Sequence, residues 1–199
     1  MDFRSVHSTS PLPPLLIRRG VVAICLIAFG ISGRMLLLEY PNIETLTVVS
    51  IIAGALLGPY LGLAVALFSV IGSDMIIGNT NILLYTWSAW AIIGISSALL
   101  KRYSRSRIMV WLDSLKFTGF GVVTTLFFFL WTNFGVWHLS GMYPHTYDGL
   151  MLSYFNGLPF LRNQLLGNLL IVPLFSVTIL TLQKYAVMLP SLWKLRKTA

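Results

Sequence analysis

The sequence predicts an all-α membrane protein with six transmembrane helices and both termini on one side of the membrane. Of its 199 residues, 56% are hydrophobic and only 10% are charged, and the mean hydropathy is +0.80. A soluble domain of this size would carry about 25% charged residues. Long uncharged runs alternate with short basic clusters, and a Gly-Pro pair divides the longest run. Together these observations predict one helical domain embedded in a bilayer.

Each predicted span has an apolar run close to the length that a helix needs to cross the hydrocarbon core, about 20 residues. The first run follows Arg18 and Arg19. It is long for a signal peptide and has no small-residue cleavage site, so we expect it to remain as a span. Residues 45–73 carry no charge and exceed one ordinary span. Pro59 divides them because proline breaks a helix interior. The predicted spans are about 20–38, 42–58, 60–78, 81–100, 117–137 and 163–183.

The basic residues predict the orientation, because cytoplasmic loops of membrane proteins carry an excess of Lys and Arg. Six spans place nearly all of them on one side, with both termini in the cytoplasm. The sequence therefore predicts a multi-pass protein of the cytoplasmic (inner) membrane. Residues 1–17 would form a flexible tail, residues 18–187 the transmembrane domain and residues 188–199 a basic cytoplasmic tail. The residues placed inside are Arg18, Arg19, Lys101, Arg102, Arg105, Arg107, Lys116, Lys184, Lys194, Arg196 and Lys197.

Two charged residues lie within or near the predicted bilayer toward its outer side. Asp74 follows a long uncharged run, and Arg34 lies four residues before the end of another. Charges at such depth cost several kcal/mol unless they are paired or hydrated, so each is a functional-site candidate. An internal ion pair is the competing explanation, with Arg34 or Arg162 bound to Asp74, Glu39 or Glu44. Both explanations stay open, because a polar cavity floor is often built from such a pair.

The third outer loop, about residues 133–162, is predicted to be the longest and to act as a lid. Its aromatic residues could anchor the protein at the membrane interface. Anchoring does not require the amides that alternate with them, whereas a pocket for a planar, hydrogen-bonding solute uses both. In that pocket Asp74 and Arg162 would fix polar ends of the solute, and Trp137 and Tyr143 would cover its faces. The predicted substrate-binding residues are Arg34, Asn42, Asp74, Asn79, Asn81, Tyr85, Asn133, Trp137, Tyr143, Arg162 and Asn163.

The sequence lacks the motifs that mark several common kinds of chemistry. The chain has no G-x-x-x-x-G-K-[ST] phosphate loop, no H-E-x-x-H and no C-x-x-C. Its one cysteine, Cys25, excludes a disulfide framework. His138 and His145 are a weak metal signal, so we predict no metal, no cofactor and no catalytic residue. The net charge of +8 is divided among short clusters between apolar runs, which argues against a nucleic-acid partner.

The pattern resembles the substrate-binding S components of energy-coupling-factor (ECF) transporters, and more specifically an S-component-like family of integral membrane proteins. Six short hydrophobic helices, both ends inside and ligand-type residues in three outer loops are common to both. The resemblance covers roughly residues 20–185. Its matching pieces are Arg34, Tyr40–Asn42, Ala53–Gly58, Ser73, Asp74, Thr132–Trp137, Tyr143, Pro144, Thr146, Gly149, Leu150 and Leu158–Leu170.

The resemblance implies a binding protein rather than an enzyme. Such S components capture a vitamin or related micronutrient from the outer face with high affinity. They then dock on a transmembrane coupling subunit driven by ATPases, and topple in the membrane to release it. Docking in that family often uses an alanine-x-x-x-alanine face on the first helix, for which Ala28-x-x-x-Ser32 is the nearest match here. The implied partners are thus a small micronutrient, membrane lipid, the coupling subunit and its ATPases.

Two other classes of function remain open from the sequence. One is a structural or assembly protein whose outer aromatic residues contact lipid or another membrane protein. The other is a small intramembrane enzyme that acts on a lipid, using Asp74 with His138 or His145. A small molecule that co-purifies with the protein would favour capture, whereas a co-purifying lipid would favour the other two classes.

Overall fold

A computed structural model describes residues 14–78, 81–100 and 110–197, and these residues form helices without strands. Six α-helices follow one another, in agreement with the predicted number. A short 3₁₀ turn, Ser97–Leu99, extends α4. The helices are α1 Pro14–Leu36, α2 Leu46–Leu57, α3 Pro59–Ile77, α4 Leu83–Ser96, α5 Val110–Leu139 and α6 Tyr147–Lys197.

Four of these helices, α1, α3, α5 and α6, are long and apolar enough to cross a membrane. The two others fall short of a full span. α2 has 12 residues, which at 1.5 Å per residue gives about 18 Å against a hydrocarbon core of roughly 30 Å. α2 lies at the centre of the bundle and contacts every other helix. All of its residues except Leu56 are buried.

The turn between α2 and α3 forms where the sequence predicts it. Gly58 has φ of 90°, a conformation that favours glycine, and its N–H bonds the Gly54 carbonyl at 3.0 Å. Pro59 then starts α3, where a missing N–H costs nothing. Arg19 of α1 donates a hydrogen bond to the Leu57 carbonyl. The start of α1 and this turn therefore share one end of the bundle, which we call the Arg19 end.

Three glycines let α2, α3 and α4 cross in direct backbone contact. A Cβ on Gly54 would lie 2.5 Å from the Gly94 carbonyl oxygen, and one on Gly62 would lie 2.7 Å from the Gly54 Cα. Real Cβ atoms do not approach other heavy atoms this closely. Small residues at helix contacts are the usual means of close packing in membranes, where lipid supplies little hydrophobic drive between helices.

The prediction of a long third outer loop is wrong. α5 and α6 are joined by residues 140–146 only, and α6 is already helical from Tyr147 onward. The aromatic residues and amides of this stretch suggested a loop, but an irregular backbone beside lipid would leave its N–H and C=O groups without partners. The two helices pack antiparallel along their length. Gly157 lies against the Asn133 side chain, and Ser176 bonds Ser114 at 2.8 Å between hydroxyl oxygens.

Candidate functional site

A cavity of about 200 Å³ opens at the end of the bundle opposite the Arg19 end. We call this end the Arg34 end. The loop between α1 and α2, residues 37–45, forms its rim, and every helix of the bundle contributes to its walls. The cavity is lined by Arg34, Leu37, Leu38, Tyr40, Pro41, Asn42, Ile43, Glu44, Leu46, Ile77, Trp90, Phe128 and Gln164.

An ion pair closes one side of the cavity. Arg34, in the last turn of α1, places Nη1 2.7 Å from Oδ1 of Asp74, which lies in the last turn of α3. The same Nη1 lies 2.7 Å from the Ser73 hydroxyl, and the Trp87 indole N–H donates to Asp74 Oδ2 at 2.8 Å. The Asp74 side chain is 5% exposed, whereas that of Arg34 is 29% exposed. The predicted pairing of these charges thus holds α1, α3 and α4 together, and only the Arg34 partner reaches the cavity.

Glu44 is a second acidic group at the site and is buried at the start of α2. Its carboxylate accepts the Thr47 backbone N–H at 3.1 Å and the Thr47 hydroxyl at 2.6 Å, so Glu44, which precedes the N-cap residue Thr45, satisfies one of the free N–H groups at the start of the helix. Burial raises the pKa of Glu44 above its ordinary value, and the Thr47 hydrogen bonds and the Arg34 charge offset this in part. The Leu46 backbone N–H bonds the carboxylate as well, and because an ionised carboxylate offers about four acceptor positions, Glu44 keeps capacity for one further donor.

The Gln164 side chain is the most informative group at the site. The residue lies on α6, is only 5% exposed and lines the cavity. Its amide has no hydrogen-bond partner among the residues that the structure describes. The side-chain atoms that are fully buried without a partner in the described chain are the hydroxyls of Ser50 and Ser69, so the Gln164 amide keeps surface that is open to the cavity. Gln164 therefore marks a position where a polar solute would complete the hydrogen bonding.

A chain of hydrogen bonds fixes the floor of the cavity. The Thr47 hydroxyl, which donates to Glu44, accepts the Asn168 amide N–H at 3.2 Å, and Asn168 also donates to the Thr125 hydroxyl at 2.8 Å. Thr47, Thr125 and Asn168 are each at most 3% exposed. These hydrogen bonds join α2, α5 and α6 and connect Glu44 to a rigid polar network. A satisfied network of this kind holds its members in one arrangement.

Aromatic side chains form an apolar wall of the cavity. Trp90 of α4 and Phe128 of α5 have ring centroids 4.9 Å apart and are tilted by 43°. Trp90 is 3% exposed and belongs to a buried apolar cluster with Leu46 and Ile93. The cavity thus combines a few placed polar groups with aromatic surface, as small-molecule sites commonly do.

The structure brings together only part of the predicted set of site residues. Arg34 and Asn42 line the cavity, and Asp74 lies directly behind Arg34. Asn42 sits on the rim with φ of 61°, a left-handed conformation that asparagine tolerates. Asn81 is exposed in the turn before α4. Asn79 lies outside the described residues.

Four further members of the predicted set lie elsewhere: Asn133, Trp137 and Tyr143 belong to the α5–α6 hairpin, and Tyr85 of α4 packs against that hairpin. The Trp137 indole N–H donates to the Pro144 carbonyl at 3.0 Å, and the Asn156 amide donates to the Tyr143 hydroxyl at 3.1 Å. These bonds fasten the loop 140–146, and neither ring lines the cavity. Asn133 donates to the Phe129 carbonyl within α5. Tyr85 packs on Gly135 and hydrogen-bonds the His138 ring at 2.7 Å.

Arg162 and Asn163 lie on α6, beside Gln164 but outside the cavity lining. Arg162 is exposed and Asn163 is half-buried. The weak metal signal of His138 and His145 finds no support from a wider cluster. Their rings are 6.3 Å apart, and the described part of the chain holds no group of three or more His, Cys, Asp or Glu side chains suited to a metal.

Four cavity residues that matter for the chemistry are absent from the predicted set: Glu44, Trp90, Phe128 and Gln164. A spacing signal could have identified Gln164. It lies four positions before Asn168, so two amides share one face of an otherwise apolar helix. Polar residues in a membrane helix generally face the interior of the bundle. Trp90 carries no such signal, because a buried aromatic residue is ordinary in a core.

The helices and the cavity define a helical, membrane-type protein with a partly polar site near one end of its bundle. The chain belongs to a family of unknown function, DUF6580, whose model matches residues 16–191. No curated protein matches the chain, and no solved structure matches it.

Proposed function

We propose that this protein captures a small micronutrient, such as a vitamin, in the cavity at the Arg34 end, as an S component of ECF type. The observation that carries the proposal is the Gln164 side chain, which lines the cavity from a largely buried residue and whose amide is open to the cavity and makes no hydrogen bond within the described chain. Arg34 supports it, because its Nη2 and Nε groups have no partner among the described residues. A solute with donors and acceptors would use all of these groups.

The distribution of charge supports capture from outside the cell. Arg19 sits at the end of the bundle opposite the cavity. Lys116, near the start of α5, lies toward that same end and pairs with Asp113 at 3.1 Å. Basic residues favour the cytoplasmic side, so the Arg34 end would face outward. The protein would then lie in the cytoplasmic membrane with its cavity open to the surroundings.

Uptake would require docking on a coupling subunit driven by ATPases, and the first helix offers a surface for it. Ala28 and Ser32 are both exposed and lie four residues apart on one face of α1. By contrast, Gly30 and Gly33 pack inward, where a Cβ would collide with Ser69 or Thr45. The small residues that face outward thus leave a shallow strip along which another helix could approach closely.

A second candidate function is contact with lipid at the α4–α5 surface. An open groove of about 420 Å³ there is lined mostly by apolar side chains. The Trp131 indole bonds Ser88 at 2.9 Å, which keeps one aromatic wall in place. This groove favours a lipid chain over a polar solute. The groove residues are Leu84, Tyr85, Ser88, Trp131, His138 and Leu139.

Native mass spectrometry of the purified protein distinguishes the two functions. The protein is released from detergent, and any bound compound is identified by its mass and fragmentation. Capture predicts a bound small polar molecule at a ratio near one per chain. If lipid is the only bound compound, and vitamins added before measurement leave the spectrum unchanged, the capture proposal fails and lipid contact is favoured.

A further inference from the structure

Within the proposed binding function, we infer that the solute is a small, single-ring compound that carries one protonated nitrogen, which Glu44 binds. This names the chemical class of the solute and rests on the proposed function. The inference uses the size of the cavity, the balance of its charges and the free acceptor position of Glu44.

The size of the cavity limits the solute. Drug-sized ligands occupy pockets of roughly 300–1,000 Å³, and a cavity of about 150 Å³ holds one benzene molecule. The cavity here, about 200 Å³, therefore suits one ring with one or two small substituents. Trp90 and Phe128 supply aromatic surface for that ring. A large, multi-ring micronutrient would not fit without movement of the helices.

The balance of charge favours a cation over an anion. Arg34 is the basic residue of the lining, and Asp74 already neutralises it at 2.7 Å. Glu44 is the acidic residue of the lining and has no comparable cationic partner among the described residues. With Glu44 ionised, these three groups sum to −1. A monovalent cation would bring the sum to zero, whereas an anion would bring it to −2 in a poorly hydrated place, where like charges repel strongly.

The geometry of Glu44 agrees with this assignment. Thr47 holds the carboxylate from the side of α2, through its N–H at 3.1 Å and its hydroxyl at 2.6 Å. The Leu46 backbone N–H also bonds the carboxylate, and the acceptor position that remains of about four suits a protonated nitrogen as donor. Burial raises the pKa of Glu44, so an approaching cation would also restore the ionised form. Gln164 and the remaining N–H groups of Arg34 would bind polar substituents at other edges of the ring.

Three planar compounds of equal size test the class directly. Benzamidine is cationic, benzamide is neutral and benzoate is anionic at neutral pH. Their binding to the full chain in lipid nanodiscs is measured by saturation-transfer NMR, with empty nanodiscs as the blank. We expect benzamidine to bind about tenfold more tightly than benzamide, which is the usual value of a hydrogen bond to a charged group, and benzoate to bind most weakly. In Glu44→Gln, the preference for benzamidine over benzamide should disappear.

The outcomes separate the class of solute from the function itself. Tighter binding of benzoate, or a benzamidine preference that survives in Glu44→Gln, overturns the inference while leaving small-molecule capture intact. If none of the three compounds binds above the blank, the inference fails, and the proposed function is then decided by the compound that co-purifies with the protein. The ranking in the unaltered protein is decisive even if the Glu44 variant does not fold, because that ranking does not depend on a substitution.

Discussion

The Arg34 guanidinium lies 2.7 Å from the Asp74 carboxylate and joins the last turn of α1 to the last turn of α3. Asp74 is buried and also accepts the Trp87 indole N–H, so the pair fixes three helices around the mouth of the cavity. The pair leaves Arg34 oriented toward the cavity, where its Nη2 and Nε groups have no partner among the described residues. The pair is thus a structural element that also prepares one group for binding.

Loss of this ion pair should lower the free energy of unfolding, and the losses from removing the two partners should not be additive. Removal of one charge from a fully buried pair costs roughly 3–5 kcal/mol. Because Arg34 keeps contact with water, we expect Asp74→Asn or Arg34→Gln to lower the free energy of unfolding by about 2 kcal/mol. Thermal unfolding of both single variants and the double variant gives the coupling. The double variant should lose clearly less than the sum of the two losses, and simple additivity would show that the pair contributes nothing.

The crossing of α2, α3 and α4 should not tolerate a methyl group. In Gly62→Ala the new Cβ would meet backbone atoms of Gly54 and Gly94 rather than flexible side chains, so the helices must separate. We expect the free energy of unfolding to fall by about 1–3 kcal/mol, as for other overpacked cores. Gly119→Ala is the matched control, because a Cβ there meets nothing within 4 Å, and helix propensity predicts a gain of up to about 1 kcal/mol. Equal unfolding temperatures for both variants would contradict the close crossing.

Stability should depend on pH through Glu44. Because burial raises its pKa in the folded protein, the folded state binds the proton more tightly than the unfolded state. The stabilisation is complete below the pKa of the unfolded chain and is lost as pH rises through the raised value. Glu44→Gln removes this dependence, so the variant should gain stability relative to the unaltered protein as pH increases. Unfolding midpoints of the two proteins across acidic to neutral pH test this, and parallel curves would show that Glu44 titrates normally.

Docking on a coupling subunit should depend on the outward face of α1. Ala28→Leu adds bulk beside Ser32 on that face, so we expect it to reduce recovery of a co-expressed ECF coupling subunit by about tenfold, the effect of a loss near 1.4 kcal/mol in association. Solute binding should be unchanged. Val22→Leu, also exposed on α1, serves as the control. If Ala28→Leu leaves both recovery and cellular uptake intact, α1 is not the docking surface.

The sequence predicts the number of helices and the turn at Gly58-Pro59, and it offers a pairing of Asp74 with a basic residue as one of two open explanations. These features follow from local composition and from the cost of isolated charge in a membrane. It does not predict that α2 lies at the centre, because a run such as Leu46–Leu57 is equally apolar when it faces lipid or protein. It also predicts a loop where α6 starts, because aromatic residues alternate with amides there, whereas a helix satisfies the backbone groups of the same stretch in an apolar environment.

The site is harder to predict than the fold, because its members come together only through packing. Trp137 and Tyr143 attract attention as aromatic residues among amides, yet their polar atoms bond within the α5–α6 hairpin. Gln164 and Glu44 meet at the cavity although 120 positions separate them in the chain. Periodicity can indicate that Gln164 faces inward, but it cannot show which residues Gln164 meets there.

The most direct test of the binding cavity compares two neighbouring amides on α6. Gln164 lines the cavity, whereas Asn163 does not. The compound that co-purifies with the unaltered protein is quantified by native mass spectrometry in Gln164→Leu and Asn163→Leu, each checked for an unchanged elution profile and unfolding temperature. The account predicts that Gln164→Leu loses the compound, with affinity lowered about tenfold or more, and that Asn163→Leu retains it. Equal retention in both variants, or equal loss, would contradict the cavity as the binding site.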